Sequence, residues 1–129
     1  MFTVAQIHEA HDKVKSGADF PKYIQEIKAL GVIGFETFVV DSHTEYYGQD
    51  NFKTQSEAMY EKLVINSISN KTEFVERLQK HQRGETDYFT FCKDCAETGI
   101  EEWIVSLIEM TCIYYDKNGN EILIEQIPS

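Results

Sequence analysis

Apolar residues recur at helical spacing in four stretches of the chain, with alternating or densely apolar runs between them. Thr3 and Gln6 have the spacing of a capping box, and Val4, Ile7, His11 and Val14 follow on one stripe, predicting a first helix that Gly17 stops. Asp19 and Pro21 open a second helix, whose Phe20, Tyr23, Ile24, Ile27 and Leu30 run up to Gly31. Val32 to Val40 is dense in β-branched and aromatic residues. Thr44 to Tyr47 and Phe52 to Gln55 flank Gly48, Gln49, Asp50 and Asn51 as a hairpin. Glu57 to Ile68 fits helix and strand templates alike, and Leu63, Val64 and Ile65 are read as a short strand.

Asn70 and Glu73 repeat the capping logic before Phe74, Val75, Leu78 and His81, so a third helix is predicted to about Arg83, ahead of Gly84. Asp87 caps a fourth, with Tyr88, Phe91, Cys92 and Cys95 inward and Gly99 as the stop. Trp103 to Tyr115 reads as one long strand, joined to Ile122–Ile127 by a turn containing Asn118 and Gly119. Its odd positions hold Trp103, Val105, Leu107, Ile113 and Tyr115, and its even ones Ile104, Ile108, Met110, Cys112 and Tyr114. Both faces are then apolar and need cover. Four short helices are too few for that, which favours a homodimer.

The two halves read as one unit written twice. Asp19 and Asp87, Gly31 and Gly99, and Tyr46-Tyr47 and Tyr114-Tyr115 each lie 68 positions apart, and caps, stops and apolar phase agree between them. The expected fold is α+β: two fused α-α-β-β units, about 1–56 and 70–127, around a mainly antiparallel sheet in a single domain, 1–129.

Composition narrows the functions. Twelve Lys and Arg against 22 Asp and Glu leave a net charge of −10, which argues against nucleic-acid binding, since phosphate contacts need clustered cations. No stretch approaches the roughly twenty apolar residues of a membrane span, and no basic, apolar leader follows Met1, so the expected setting is cytoplasmic, away from membranes. Three cysteines make no disulfide framework.

Cys92 and Cys95 form a CxxC pair, but at the offset of 68 they fall on Ile24 and Ile27 of an apolar stripe, and Cys92 lies more than a turn inside its helix. They are read as core cysteines, neither redox-active nor zinc ligands. His8 and His11 have a metal-compatible spacing without a third ligand. Asp41, Ser42 and His43 contain the residue types of a hydrolytic triad, yet neighbouring strand residues face opposite ways. No GxSxG, Walker or GxGxxG motif occurs, and no metal or cofactor is expected. Positions polar in one half and apolar in the other mark where a site diverges. Glu36 against Ile104, Thr37 against Val105 and His43 against Thr111 meet or approach that test. Glu36, His43 and Tyr47 are accordingly expected to border the main cleft as ligand-binding residues, with Trp103 as a core wall rather than a ligand contact. Alternation sets Glu36 and His43 on opposite faces unless a bulge intervenes.

GETDYFTFC from Gly84 to Cys92, Trp103, MTC from Met110, YYD from Tyr114, GNE from Gly119 and Ile127-Pro128, with Leu30 to Gly34 and Tyr46-Tyr47-Gly48 in the first half, resemble the YbcV/YdfO-like family. These are small bacterial and prophage-borne proteins carrying a phage envelope protein-like label. The resemblance implies no assigned activity and no catalytic residues. Three functions stand in order: a non-enzymatic module binding a protein or small ligand at the seam between the halves; a small acid–base enzyme using Glu36 and His43; and an acidic decoy that mimics nucleic acid.

Overall fold

The computed structural model describes residues 2–14 and 19–128. Along them run α1 (Val4–His11), α2 (Phe20–Leu30), β1 (Val32–Phe38), β2 (Thr44–Gly48), β3 (Lys53–Gln55), α3 (Lys71–Gln82), α4 (Tyr88–Glu97), β4 (Ile100–Ser106), β5 (Thr111–Asp116) and β6 (Glu121–Gln126). The fold is α+β, with two successive α-α-β-β-β runs.

The helices start where short polar side chains satisfy their free N–H groups. Thr3 and Gln6 close a reciprocal capping box on α1, and Asn70 and Asp87 accept from the Glu73 and Thr90 amides at the starts of α3 and α4. Gly31 and Gly99 follow α2 and α4 with φ of 107° and 85°, the left-handed conformation that releases a chain from a helix and that glycine adopts cheaply. The Gly17 stop lies outside the described residues.

All strand pairs are antiparallel, in the order β3-β2-β1-β4-β5-β6. At the centre Glu36 pairs with Ile104, Phe35 with Val105 and Thr37 with Trp103. Glu36 and Ile104 are 68 positions apart, so one pair of positions matched by that offset sits directly across the central ladder. Its neighbours exchange reciprocally. The same offset relates two register shifts, Val32/Gly34 in β1 and Ile100/Glu102 in β4. It also relates two backbone bonds, Val39 N–H to Glu101 O and Leu107 N–H to Ile33 O.

The core lies between the helices and one face of the sheet. Ile24 and Ile27 of α2, Cys92 and Cys95 of α4, Phe74 of α3 and Ile7 of α1 are fully buried against Val32, Ile100 and Val105. Burying each large aliphatic chain contributes about 1.5–3 kcal/mol. Arg77 of α3 ties the second helix pair together through Glu73, Asp94 and Glu97. No helix among the described residues is long and apolar enough to cross a membrane.

Two readings of the sequence are corrected. Trp103 to Tyr115 is two strands, because Leu107–Met110 turns the chain, with Met110 at φ 55° and the Ser106 hydroxyl accepting from the Glu109 amide. Alternation restarts at the turn. Trp103, Val105 and Leu107, then Cys112 and Tyr114, are buried on the helix side, while Ile104, Ile113 and Tyr115 are half-buried on the other. The single long strand is absent, and the apolar side chains read on its second face are divided between β4 and β5. Leu63–Ile65 is likewise no strand. Its segment is a strap whose amides reach a turn and a helix end, Met59 to Asp41 O, Leu63 to Val40 O and Asn66 to Ala96 O, so no partner strand fixes a ladder.

Cys92, Cys95 and Cys112 are buried free thiols, and burial pushes all three up, Cys112 to about 12. Such thiols lack the thiolate character that redox work needs. Titration with a thiol reagent is expected to find none of the three reactive in native protein and all three in urea.

The two glycine stops predict unequal costs. A Cβ on Gly31 would meet only Phe2 at 3.8 Å, whereas on Gly99 it would lie 2.6 Å from Ser69 Cα and 2.8 Å from Ile68 O. Gly31→Ala is expected to cost about 1–2 kcal/mol of backbone strain, and Gly99→Ala clearly more, because the strap must move. Urea denaturation of both variants checks the order.

Candidate functional site

A concavity of about 550 Å³ opens on the helix side of the sheet where the two helix pairs meet. Its floor is Trp103 of β4 with Cys112 and Tyr114 of β5. The ends of α1 and α3 supply His11, Leu78, His81 and Gln82, and the starts of α2 and α4 supply Phe20, Pro21, Tyr88 and Phe91. Glu125 to Pro128 close the back. Both halves therefore contribute walls.

Aromatic packing fixes those walls. Trp103 stands 5.6 Å from Phe91, 6.2 Å from Tyr114 and 6.4 Å from Tyr88, the last pair at 84°. His81 stacks on Phe91 at 4.4 Å and has its Nδ1 3.1 Å from Thr86 O and Oγ1. His11 packs edge-on against Tyr23 and Tyr88. Burial lowers the pKa of both imidazoles, so each favours its neutral form. Glu125 accepts from Gln82 Nε2 at 3.2 Å and from the Tyr114 hydroxyl at 3.5 Å. The Tyr88 hydroxyl bonds Ser42 Oγ at 2.6 Å, which locks the ring from behind.

Glu36, His43 and Tyr47 do not line this cleft. They share the opposite, helix-free face of the sheet. Strand register groups that face into rows: His43, Phe38, Glu102, Tyr115 and Glu121; then Glu45, Glu36, Ile104, Ile113 and Ile124; then Lys53, Tyr47, Gly34 and Ser106. His43 and Glu36 face the same way, contrary to alternation by residue number, because a turn separates them and Phe38 N–H pairs with His43 O across the hairpin. Trp103 is buried in the core and, against the expectation that it lies apart from any ligand-facing surface, also forms the cleft floor.

On this open face, Asp41 Oδ1 lies 2.6 Å from His43 Nδ1, and the imidazole stacks on Phe38 at 4.5 Å. Burial would raise Asp41, but hydrogen bonds from the His43 backbone and ring outweigh it and hold the carboxyl below its ordinary range. Ser42 does not complete a triad. It is buried at φ 64° and points to Tyr88. Glu102 is the residue the sequence reading missed. Burial, then the hydrogen bond and charge of Glu36, push its carboxyl up to about 7. The available signal was an acidic residue in an apolar run at the counterpart of Gly34.

No group of three or more His, Cys, Asp and Glu among the described residues is arranged to hold a metal ion. The cleft is lined by aromatic side chains, with two imidazoles and the carboxylates of Asp87 and Glu125 among them.

Residues 8–126 match the family model described as a protein of unknown function, DUF1398. The chain belongs to that family. No curated protein matches it. The match runs from within α1 to the end of β6, so it takes in the whole sheet and all of the cleft lining except Ile127 and Pro128.

Glu102 yields a pH prediction with a definite sign. Its folded pKa of about 7 exceeds the ordinary 4.5, so its contribution to stability is complete below about pH 4.5 and is lost as pH rises towards 7. Glu102→Gln, neutral throughout, is expected to be more stable than wild type at pH 8 and equal to it at pH 4. Urea midpoints at the two pH values check this, and equal midpoints at pH 8 would refute it.

Proposed function

We propose that the protein is a non-enzymatic binding module whose ligand is a small, largely apolar molecule held in the seam cleft. The observation that carries this reading is the aromatic-walled concavity of about 550 Å³, a volume in the range that encloses ligands of drug size. Its walls come from both halves, consistent with a duplicated unit whose seam became the site. The prophage-borne origin implied by the YbcV/YdfO-like resemblance belongs to the same proposal.

The acid–base alternative draws on the Asp41–His43 contact and on Glu102, which keeps a proton towards neutral pH. Those groups lie on an open sheet face, where water competes for every polar contact, and that favours binding over catalysis. The decoy alternative is weaker, because Ile104, Ile113 and Ile124 interrupt the carboxylates of the same face.

The neutral dye Nile red tests the cleft, and Trp103, the only tryptophan, supplies the signal. Saturable quenching of Trp103 at one site per chain is expected. Gln82→Phe, which fills the exposed rim without adding a second tryptophan, is expected to weaken it at least about tenfold with unchanged melting temperature. Binding that ignores Gln82→Phe would remove the cleft as the site.

A further inference from the structure

We infer that the seam cleft is built for a small organic cation, an alkylated ammonium held by aromatic faces and by a carboxylate at the rim. The inference rests on the seam-cleft reading and names the chemical class of its ligand.

The first argument is the set of faces. Phe91, Tyr114 and Tyr88 surround Trp103 with interplanar angles of 49°, 53° and 84°. The rings pack edge and face on one another rather than as parallel plates, all four line the cleft, and His81 covers one face of Phe91. The face of an aromatic ring is electronegative, so the ring surface left open to the cleft favours a cation whose methyl groups give up little hydration.

Charge supplies the second argument independently. Among the described residues, no lysine or arginine lines the cleft, while Asp87 and Glu125 do. Glu125 is held at the rim by Gln82 Nε2 and the Tyr114 hydroxyl, and Asp87 by its cap to the Thr90 amide. The two imidazoles of the lining, His11 and His81, are disfavoured as cations by burial. Among the described residues, the lining therefore carries two carboxylates and no lysine or arginine beside its aromatic interior. An anionic ligand would meet repulsion from those carboxylates, and a neutral one would leave their field unused.

The chain carries its own small instance of this recognition. On the open face, Lys53 Nζ sits 5.7 Å over the Tyr47 ring while bonding Glu45 at 2.7 Å. That contact is exposed and shallow. In the cleft, several rings and the Glu125 carboxylate at the rim supply the same two contributions.

Three probes of nearly one shape separate charge from size: choline, its uncharged analogue 3,3-dimethylbutan-1-ol, and the anion 3,3-dimethylbutanoate. Trp103 fluorescence and calorimetry read binding to the full chain. Choline is expected to bind saturably and at least about tenfold tighter than the alcohol, with the carboxylate weakest. Glu125→Gln, which keeps shape and the Gln82 contact, is expected to reduce the choline preference several-fold while leaving affinity for the alcohol and the melting temperature unchanged. Equal affinity for choline and the alcohol, or a preference for the anion, would overturn the cation inference while leaving the cleft as a neutral-ligand site. Binding of none of the three would overturn it as well, and the Nile red titration then decides separately whether the cleft binds anything.

Discussion

The antiparallel pairing of β1 with β4 turns two three-stranded meanders into one sheet. Without it, each half would present an inner edge of unpaired amides and carbonyls, which a folded chain must cover or pair. Centring the ladder on Glu36 and Ile104 fixes more than the edge. It places Phe35 and Val105, and Thr37 and Trp103, on the same buried side, so both helix pairs must lie on one face. A slip of one residue would put Trp103 and Glu36 on the same face, so that either Trp103 turned outward or a carboxylate was buried at the centre of the core. The register is thus held by hydrophobic burial on one side and by carboxylate solvation on the other.

Local rules recovered most of the elements, and their failures are informative. Caps were legible because Thr3, Asn70 and Asp87 act on amides three residues away, a geometry that needs no tertiary context. Gly31 and Gly99 were legible for the same reason. The turn at Leu107–Met110 was not, because Ile108 is an exposed apolar residue there, 71% accessible, and mimics a strand position. Treating 103–115 as one strand carried a single parity through a hairpin and grouped Ile113 and Tyr115 with Trp103, whereas the register sets Tyr114 and Cys112 on the face of Trp103 and Val105. The same step misplaced His43 relative to Glu36. Strand parity is a property of one strand, and only register relates two.

The candidate site was less legible than the fold because a cleft is made where elements fail to meet, and no residue pattern records that. Aromatics at helix starts, Phe20 and Tyr88, were read as apolar stripe members, which they also are. Glu125 stood inside an apolar run without marking itself. The rule that polar-for-apolar differences between the halves mark a site pointed at Glu36 and His43, and it found the open face. There the halves do differ in charge, since Lys53 beside Tyr47 is replaced by Glu121 beside Tyr115.

The deeper asymmetry is in length. β3 has three residues and β6 has six, and the tail after β6 continues along the helix side as Glu125 to Pro128. The matching residues in the first half, Glu57 to Tyr60, leave the sheet as the strap, where the Tyr60 hydroxyl donates to Val39 O and the ring packs against Phe89. One half thus spends this segment on connecting the units, and the other uses it to wall a cavity. Matching elements at matching offsets would otherwise make two equivalent recesses, one beside each helix pair. Because the connection is needed only once, the segment left over in the second half can close a single cleft, which accounts for its position to one side of the Glu36–Ile104 centre.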